Sequence, residues 1–124
     1  MDKLQDLPPR DGRLHTQQIT PELIAYIVQI IARSIGPQCI ILFGSHARGE
    51  SSDESDLDLY VIQGSKKSNR EVHRQIETLL WDRRFGLDLI VRRPEEVERN
   101  LADNNPFYTN HILSEGRTVY ERPA

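Results

Sequence analysis

Residues 39–62 read CIILFGSHARGESSDESDLDLYVI, two short apolar runs separated by a polar loop. The first run, Cys39–Phe43, is continuously apolar and leads directly into Gly44 and Ser45. The second run, Leu57–Ile62, is apolar except for one aspartate. Runs of this length, bounded by turn residues, predict buried β-strands. We therefore predict two strands joined by a polar loop, with a helical turn directly after the glycine.

Helical and strand patterns alternate through the rest of the chain. Thr20, followed by Pro21 and Glu22, predicts a helix start, because a threonine cap, an early proline and an acid in the first turn all suit a helix N-terminus. Gly36, with the proline after it, ends that helix. The order of elements predicts a small α/β domain whose sheet packs against helices. The other predicted elements are a helix at 68–82, a strand at 86–91, short helices beginning at Pro94 and Pro106, and a short strand at 118–120.

Length and composition bound the class of protein. The 124 residues, 37% apolar and 28% charged, suit one compact domain. We expect residues 1–19, which are polar and proline-rich, to form a flexible N-terminal arm, and residues 20–124 to form the single domain. The net charge of −3 argues against direct nucleic-acid binding through bulk electrostatics.

The environment of the protein is predicted from its cysteine content and hydropathy. The single cysteine, Cys39, cannot form an internal disulfide, which predicts a cytoplasmic protein. No apolar stretch approaches the ~20 residues that cross a bilayer. The polar N-terminus is unlike a signal peptide. We therefore expect no membrane association.

Three aspartates stand where apolar strands offer them no obvious partner. Asp56 and Asp58 are one residue apart, so both side chains point to the same face of the strand. Asp88 lies in the next apolar run and could point to that face too. Removing a carboxylate from water costs several kcal/mol unless it is paired or bound to a cation. The pattern therefore predicts a divalent metal site.

The donor set and spacing restrict the metal. Ligands that are all oxygen favour Mg²⁺ or Mn²⁺. Paired metals in phosphoryl-transfer sites lie ~3.5–4 Å apart, a distance that Asp56 and Asp58 could bracket. The alternatives are structural, because an isolated Asp-x-Asp also occurs at solvated strand edges and Asp88 could serve in an ion pair.

A phosphate-binding turn is predicted beside these acids. Gly44 allows a phosphate to approach the backbone, and Ser45 adds a hydroxyl at the start of a helical turn. Arg48, one turn further on, could present its forked cation to phosphate oxygens. It could equally pair with Glu50 or Asp53. A phosphate cradle next to clustered carboxylates is typical of a phosphoryl- or nucleotidyl-transfer site.

These residues resemble the signature of the DNA polymerase β-like nucleotidyltransferase superfamily. The likeness rests on Gly44-Ser45, ten intervening residues, and then Asp56-Leu57-Asp58. More narrowly, the chain is similar to the minimal nucleotidyltransferases, the MNT proteins. The resemblance implies the polymerase β-like fold, a small mixed β-sheet flanked by helices.

The resemblance also implies roles for individual residues. Asp56, Asp58 and Asp88 would be the catalytic acids, binding two divalent metals, Mg²⁺ or Mn²⁺. Gly44 and Ser45 would bind the triphosphate of ATP, the substrate. The third acid would help to deprotonate the acceptor hydroxyl for attack on the α-phosphate.

A partner protein is implied in the same way. MNT proteins are commonly paired with HEPN-type helical proteins as toxin–antitoxin systems, and some transfer AMP from ATP onto a tyrosine of the toxin. The resemblance therefore implies an antitoxin that adenylylates a HEPN toxin and could form a hetero-oligomer with it. Two alternatives stay open: a non-catalytic antitoxin that neutralises its toxin by occlusion, and a nucleotidyltransferase that acts on a small molecule.

Overall fold

The computed structural model describes residues 12–52 and 54–123. Its helices and strands follow the predicted order, around a single four-stranded sheet. The helix predicted at 68–82 ends earlier, at Leu79. The segment after Pro106 forms largely a π-helix, in which each backbone hydrogen bond spans one residue more than in an α-helix. The elements are α1 (Pro21–Ile35), β1 (Cys39–Phe43), α2 (Ser45–Arg48), β2 (Leu57–Ile62), α3 (Asn69–Leu79), β3 (Leu87–Arg92), α4 (Pro94–Ala102), the π-helix (Tyr108–Leu113) and β4 (Arg117–Glu121).

The two long helices begin at residues that satisfy their free backbone donors. The Thr20 hydroxyl accepts a hydrogen bond from the Leu23 N–H at 3.1 Å at the start of α1. At the start of α3, Ser68 and Glu71 each bond to the other's backbone N–H, which is a capping box. Gly36 ends α1 in the left-handed conformation. Local sequence therefore sets where these helices start and, for α1, where it stops.

The sheet has the strand order β3-β2-β1-β4. Strand β1 runs antiparallel to both of its neighbours, whereas β2 and β3 run parallel. The sheet is therefore mixed, as the resemblance implied. Two register pairs matter for the site, since Phe43 lies opposite Asp58 and Asp58 lies beside Asp88.

Helices cover the two faces of the sheet unequally. One face packs against α1 and α3, and its core includes Leu57, Leu59 and Val61 from β2. The other face carries a smaller cluster closed by Tyr108 and Ile112 of the π-helix. The end of β2 and β3 that carries Asp58 and Asp88, which we call the acidic end, belongs to this second face, because residues alternate between faces along a strand. We call this less covered face the open face.

Part of the predicted N-terminal arm packs on the domain. The Leu14 side chain is 5% exposed and joins the main core. Its carbonyl accepts a hydrogen bond from the Arg84 N–H at 3.1 Å, and the Arg13 guanidinium lies 4.6 Å from the centre of the Tyr26 ring. One buried leucine and these polar contacts thus join residues 13 and 14 to the domain, and the division into a flexible arm at 1–19 and a single domain at 20–124 stays a prediction. The other part of the predicted arm, residues 1–11, lies outside the described residues.

Two other sequence expectations concern environment. Among the helices of the described ranges, none has both the length and the apolarity needed to cross a bilayer. The Cys39 side chain is half-buried, and burial, together with the charge of Glu121, raises the pKa of its thiol. A raised pKa suits a packed, unreactive thiol.

Candidate active site

The structure brings Asp56, Asp58 and Asp88 together at one end of the open face. Asp58 on β2 and Asp88 on β3 occupy the same level of the parallel pair, and Asp56 directly precedes β2. The pKa of Asp58 is raised to about 6, with burial as the largest cause and the negative charges of Asp88 and Asp56 acting in the same direction. The carboxylates of Asp56 and Asp88 therefore both lie within electrostatic reach of the Asp58 carboxylate.

Two glycines make room for these carboxylates. Gly44 has a φ of 73° and a ψ of −159°, a conformation that strongly favours glycine. A Cβ atom at Gly44 would overlap the carboxylate of Asp58, and one at Gly86 would overlap that of Asp56. Sequence reasoning singled out Gly44 but gave Gly86 no role. The signal for Gly86 was its position directly before an apolar strand that carries an acid.

The turn after β1 holds its shape through backbone bonds. The Gly44 carbonyl accepts from the N–H groups of Ala47 and Arg48, at 3.1 and 3.2 Å. Ser45 is half-buried at the start of α2. The turn therefore places Gly44, with Ser45 next to it in the chain, directly beside the Asp58 carboxylate.

Arg48 is held by two glutamates. Its Nε donates to Glu50 Oε2 and its Nη1 donates to Glu115 Oε2, both at 3.2 Å. These partners raise the pKa of Arg48, with the hydrogen bond to Glu50 the largest cause. The charge of Arg48 in turn lowers the pKa of Asp58, so the guanidinium stands near the acids. The pairing with Glu50, left open from the sequence, is present; Asp53 lies outside the described residues.

Aromatic side chains border the acidic end on the β1 side. The Phe107 ring packs edge-on against Phe43, with 5.9 Å between ring centres. The rings of Phe107 and His111 lie 5.3 Å apart, and His111 Nδ1 lies 3.6 Å from Glu115 Oε2. Sequence reasoning gave no role to Phe107 or Glu115, because their contacts depend on how the π-helix docks on the sheet.

A cleft of about 300 Å³ adjoins the acids on the other side. Its lining includes Arg84, Phe85 and Gly86, and Gly86 touches Asp56. A larger cleft of about 570 Å³ lies between α3 and the outer edge of β3, lined in part by Arg70 and Arg74. That cleft contains none of the three aspartates, so its size does not make it the reaction site.

The acids fit a hard cation by chemistry and by charge. All three donors are carboxylates, which suit Mg²⁺ or Mn²⁺. The raised pKa of Asp58 shows the crowding of negative charge that a bound cation would relieve. Over residues 12–52 and 54–123, no three His, Cys, Asp or Glu side chains form a group already arranged to hold a metal. The carboxylates would therefore have to adjust their rotamers on binding one.

Comparison with known sequences gives consistent findings. The family model described as "Polymerase beta, Nucleotidyltransferase" matches residues 25–124. Two proteins of Methanocaldococcus jannaschii are similar, each named "Putative protein adenylyltransferase". MJ0604 is 33% identical over 81 residues, which are 65% of this chain and 76% of that protein. MJ1305 is 31% identical over 86 residues, which are 67% of this chain but only 58% of that protein's length.

Solved structures show the same architecture. The crystal structure of "a putative nucleotidyltransferase from Sulfolobus solfataricus" aligns with a TM-score of 0.55 and 22% identity, covering 90% of this chain and 86% of that one. The crystal structure of a "toxin-antitoxin with AMP-PNP" aligns with a TM-score of 0.51 and 18% identity, covering 78% and 73%. At these identities the likeness shows a shared fold, a mixed sheet with flanking helices.

Proposed function

The chain belongs to the polymerase beta nucleotidyltransferase family, and we propose that it transfers AMP from ATP to a hydroxyl group of a partner protein. The observation that carries this proposal is the convergence of Asp56, Asp58 and Asp88 beside the Gly44–Ser45 turn. Three crowded carboxylates next to a close-approach glycine suit a reaction in which positioning and charge neutralisation supply the rate.

Each residue of the site has a distinct task in this proposal. Asp56 and Asp58 would hold divalent cations, Mg²⁺ or Mn²⁺, which when bound neutralise the triphosphate and stabilise charge on the α-phosphate. Gly44 lets the phosphate chain approach the backbone, and Ser45 donates to a phosphate oxygen. Asp88 accepts the proton of the acceptor hydroxyl. The acceptor oxygen then forms a bond to the α-phosphorus, the bond to the leaving oxygen breaks, and pyrophosphate departs.

In this proposal Arg48 assists ATP binding by exchanging a glutamate partner for the triphosphate. Its two ion pairs, with Glu50 and Glu115, lie at the surface, where such pairs contribute little stability. A triphosphate offers the guanidinium a more highly charged, bidentate acceptor. We therefore propose that Arg48 leaves at least one glutamate when ATP binds, and that the glutamates hold it near Asp58 until then.

The partner is proposed from the relatives. Two similar proteins bear the name of protein adenylyltransferases, and one structure of the same fold is a toxin–antitoxin complex with AMP-PNP. These findings support a toxin as the partner. We propose a HEPN-type toxin with a tyrosine hydroxyl as the acceptor, in the cytoplasm, with this chain as the antitoxin.

The decisive experiment measures where the AMP group of labelled ATP is transferred. The full chain is incubated with Mg²⁺, ATP labelled on the α-phosphate, and a HEPN-type protein as the candidate partner. We expect the label on the partner, a partner mass larger by one AMP group, and neither change with Asp58→Asn. Asp103→Asn, at an exposed acid on the C-terminal cap of α4, is the matched control and should act normally. A complex that forms without label transfer would contradict the proposal and indicate neutralisation by occlusion; label on a small molecule would contradict the acceptor class.

A further inference from the structure

An exposed aromatic surface borders the proposed site. The Phe107 side chain is 43% exposed, although its edge packs on the buried Phe43 ring. The His111 ring lies beside it at 5.3 Å, tilted by 45°. We call Phe107 and His111 the aromatic shelf. A large apolar ring left partly in water next to a binding site indicates a surface that a ligand can cover.

Two independent chains of contacts connect the shelf to the acids. The first runs from Asp58 to Phe43, its partner in the β1–β2 register, and then to Phe107. The second runs from Asp58 to Gly44, which lies against its carboxylate and whose carbonyl accepts from the Arg48 N–H. It continues through the Arg48 side chain and Glu115 to His111. Both chains of contacts start at Asp58 and end at the aromatic shelf, so the shelf lies at the border of the acidic end.

The shelf lies on the nucleotide side of the site. Asp88 is on β3, at one edge of the sheet, whereas the π-helix covers β1 on the far side of β2. The acceptor hydroxyl approaches Asp88, and in-line displacement directs the leaving pyrophosphate away from β3, so the bound nucleotide occupies the side of the site towards β1 and the π-helix. Gly44 follows Phe43 directly, so a triphosphate bound at this glycine begins next to the ring on which the shelf rests.

We propose that the shelf is the base-binding surface, with the nucleobase stacked on Phe107 and flanked by His111. This inference rests on the proposed function, since it needs a nucleoside triphosphate at Gly44 and Ser45. Stacking on an aromatic ring suits any base, because every base has a π-face. The shelf therefore supplies affinity for the nucleoside rather than a choice among bases.

Calorimetry with a matched pair of ligands tests the role of the shelf. Mg-ATP carries a base, whereas inorganic tripolyphosphate with Mg²⁺ presents phosphates alone. Phe107→Leu keeps an apolar contact with Phe43 but removes the π-face, and Phe107→Trp keeps the π-face. We expect Phe107→Leu to weaken ATP about tenfold and leave tripolyphosphate unchanged, and Phe107→Trp to bind ATP normally. Leu113→Ala, at a 49% exposed residue of the same helix, is the control and should change neither.

Transfer kinetics with the protein partner supply the second readout. Phe107→Leu should raise the KM for ATP about tenfold and leave the KM for the partner unchanged. The proposal is overturned if Phe107→Leu weakens both ligands equally, weakens neither, or raises only the KM for the partner, which would make the shelf an acceptor contact. Failure of the proposed function is distinct, because the unsubstituted protein would then transfer no AMP at all.

Discussion

On one face of β2, Leu57, Leu59 and Val61 are 0% exposed in the core beneath α1 and α3, whereas the other face begins with Asp58, a half-buried carboxylate. The same six-residue strand therefore meets two environments. Burying a leucine or valine stabilises the fold by about 1.5–3 kcal/mol. Burying the Asp58 carboxylate, and placing it beside two other acids, opposes folding instead, as its raised pKa shows. The face beneath α1 and α3, which we call the closed face, supplies the stability that allows the open face to keep a destabilising site.

The largest expected effect separates chemistry from stability. Asp58→Asn removes a proposed metal ligand and should lower AMP transfer by about 10³-fold, equivalent to ~4 kcal/mol of transition-state stabilisation. The fold should survive, because the change adds no volume and removes charge crowding. Initial rates at saturating ATP, with circular dichroism of the same sample, measure both. Normal turnover with Mg²⁺ would refute the metal role of this residue.

The matching change on the closed face should lower the stability of the protein and leave ATP binding unchanged. Leu59→Ala opens a cavity in a fully buried core and should lower the free energy of unfolding by about 3 kcal/mol. Urea denaturation measures this loss. The fraction that stays folded should bind ATP with unchanged affinity, since Leu59 points away from the acids. A large loss of ATP affinity in folded protein would show that the two faces are not independent.

A third substitution tests the fit around Asp56. Gly86→Ala forces the Asp56 carboxylate to move, because a Cβ atom there would overlap it. The carboxylate is the mobile end of a side chain, so stability should change little. Transfer should fall about 100-fold, since displacements near 1 Å can cost that much. Rates are compared with those of Gly64→Ala, whose new Cβ would meet only the side chains of Gln38 and Pro94; equal activity in the two variants would contradict the packing argument.

The smallest expected effect is a pH dependence in metal-free protein. The pKa of Asp58 is about 6 in the fold and ~3.9 in an unfolded chain, so between these values the folded state binds more protons. Stability should therefore fall as pH rises from about 4 to about 6, by about 1 kcal/mol after discounting for solvent screening. Urea denaturation in a chelating buffer, with Asp58→Asn as reference, isolates this contribution. An unchanged pH profile in the variant would show that other groups cause the dependence.

Local patterns predicted most of the fold and the acids of the site. The apolar run at 57–62 predicted β2, the alternation of side chains along a strand placed Asp58 on its open face, and the caps at Thr20 and Gly36 predicted α1. The π-helix was expected only as a helix, because its wider turns are not encoded in short-range periodicity. The place of Leu14 in the core could not be predicted, because a single leucine in polar sequence carries no pattern to show that it is buried.

Around the site, too, local features could be predicted from the sequence, whereas contacts between distant residues could not. Spacing along the chain was enough to select Gly44, Ser45 and the aspartates as candidate site residues, because a turn and the position of an acid in a strand are local features of the chain. The pairing of Arg48 with Glu115, and the meeting of Phe107 with Phe43, join residues more than 60 positions apart.

Sequence alone thus determined which groups are chemically unusual: three acids in apolar strands, and a glycine-serine turn before them. Folding determined which of those groups meet, which faces of the sheet are closed, and which aromatic ring stays at the rim. The reason is physical. The cost of a charge in an apolar strand is a property of neighbouring residues, whereas distance and burial across the sheet arise only when β1, β2, β3 and the π-helix pack together.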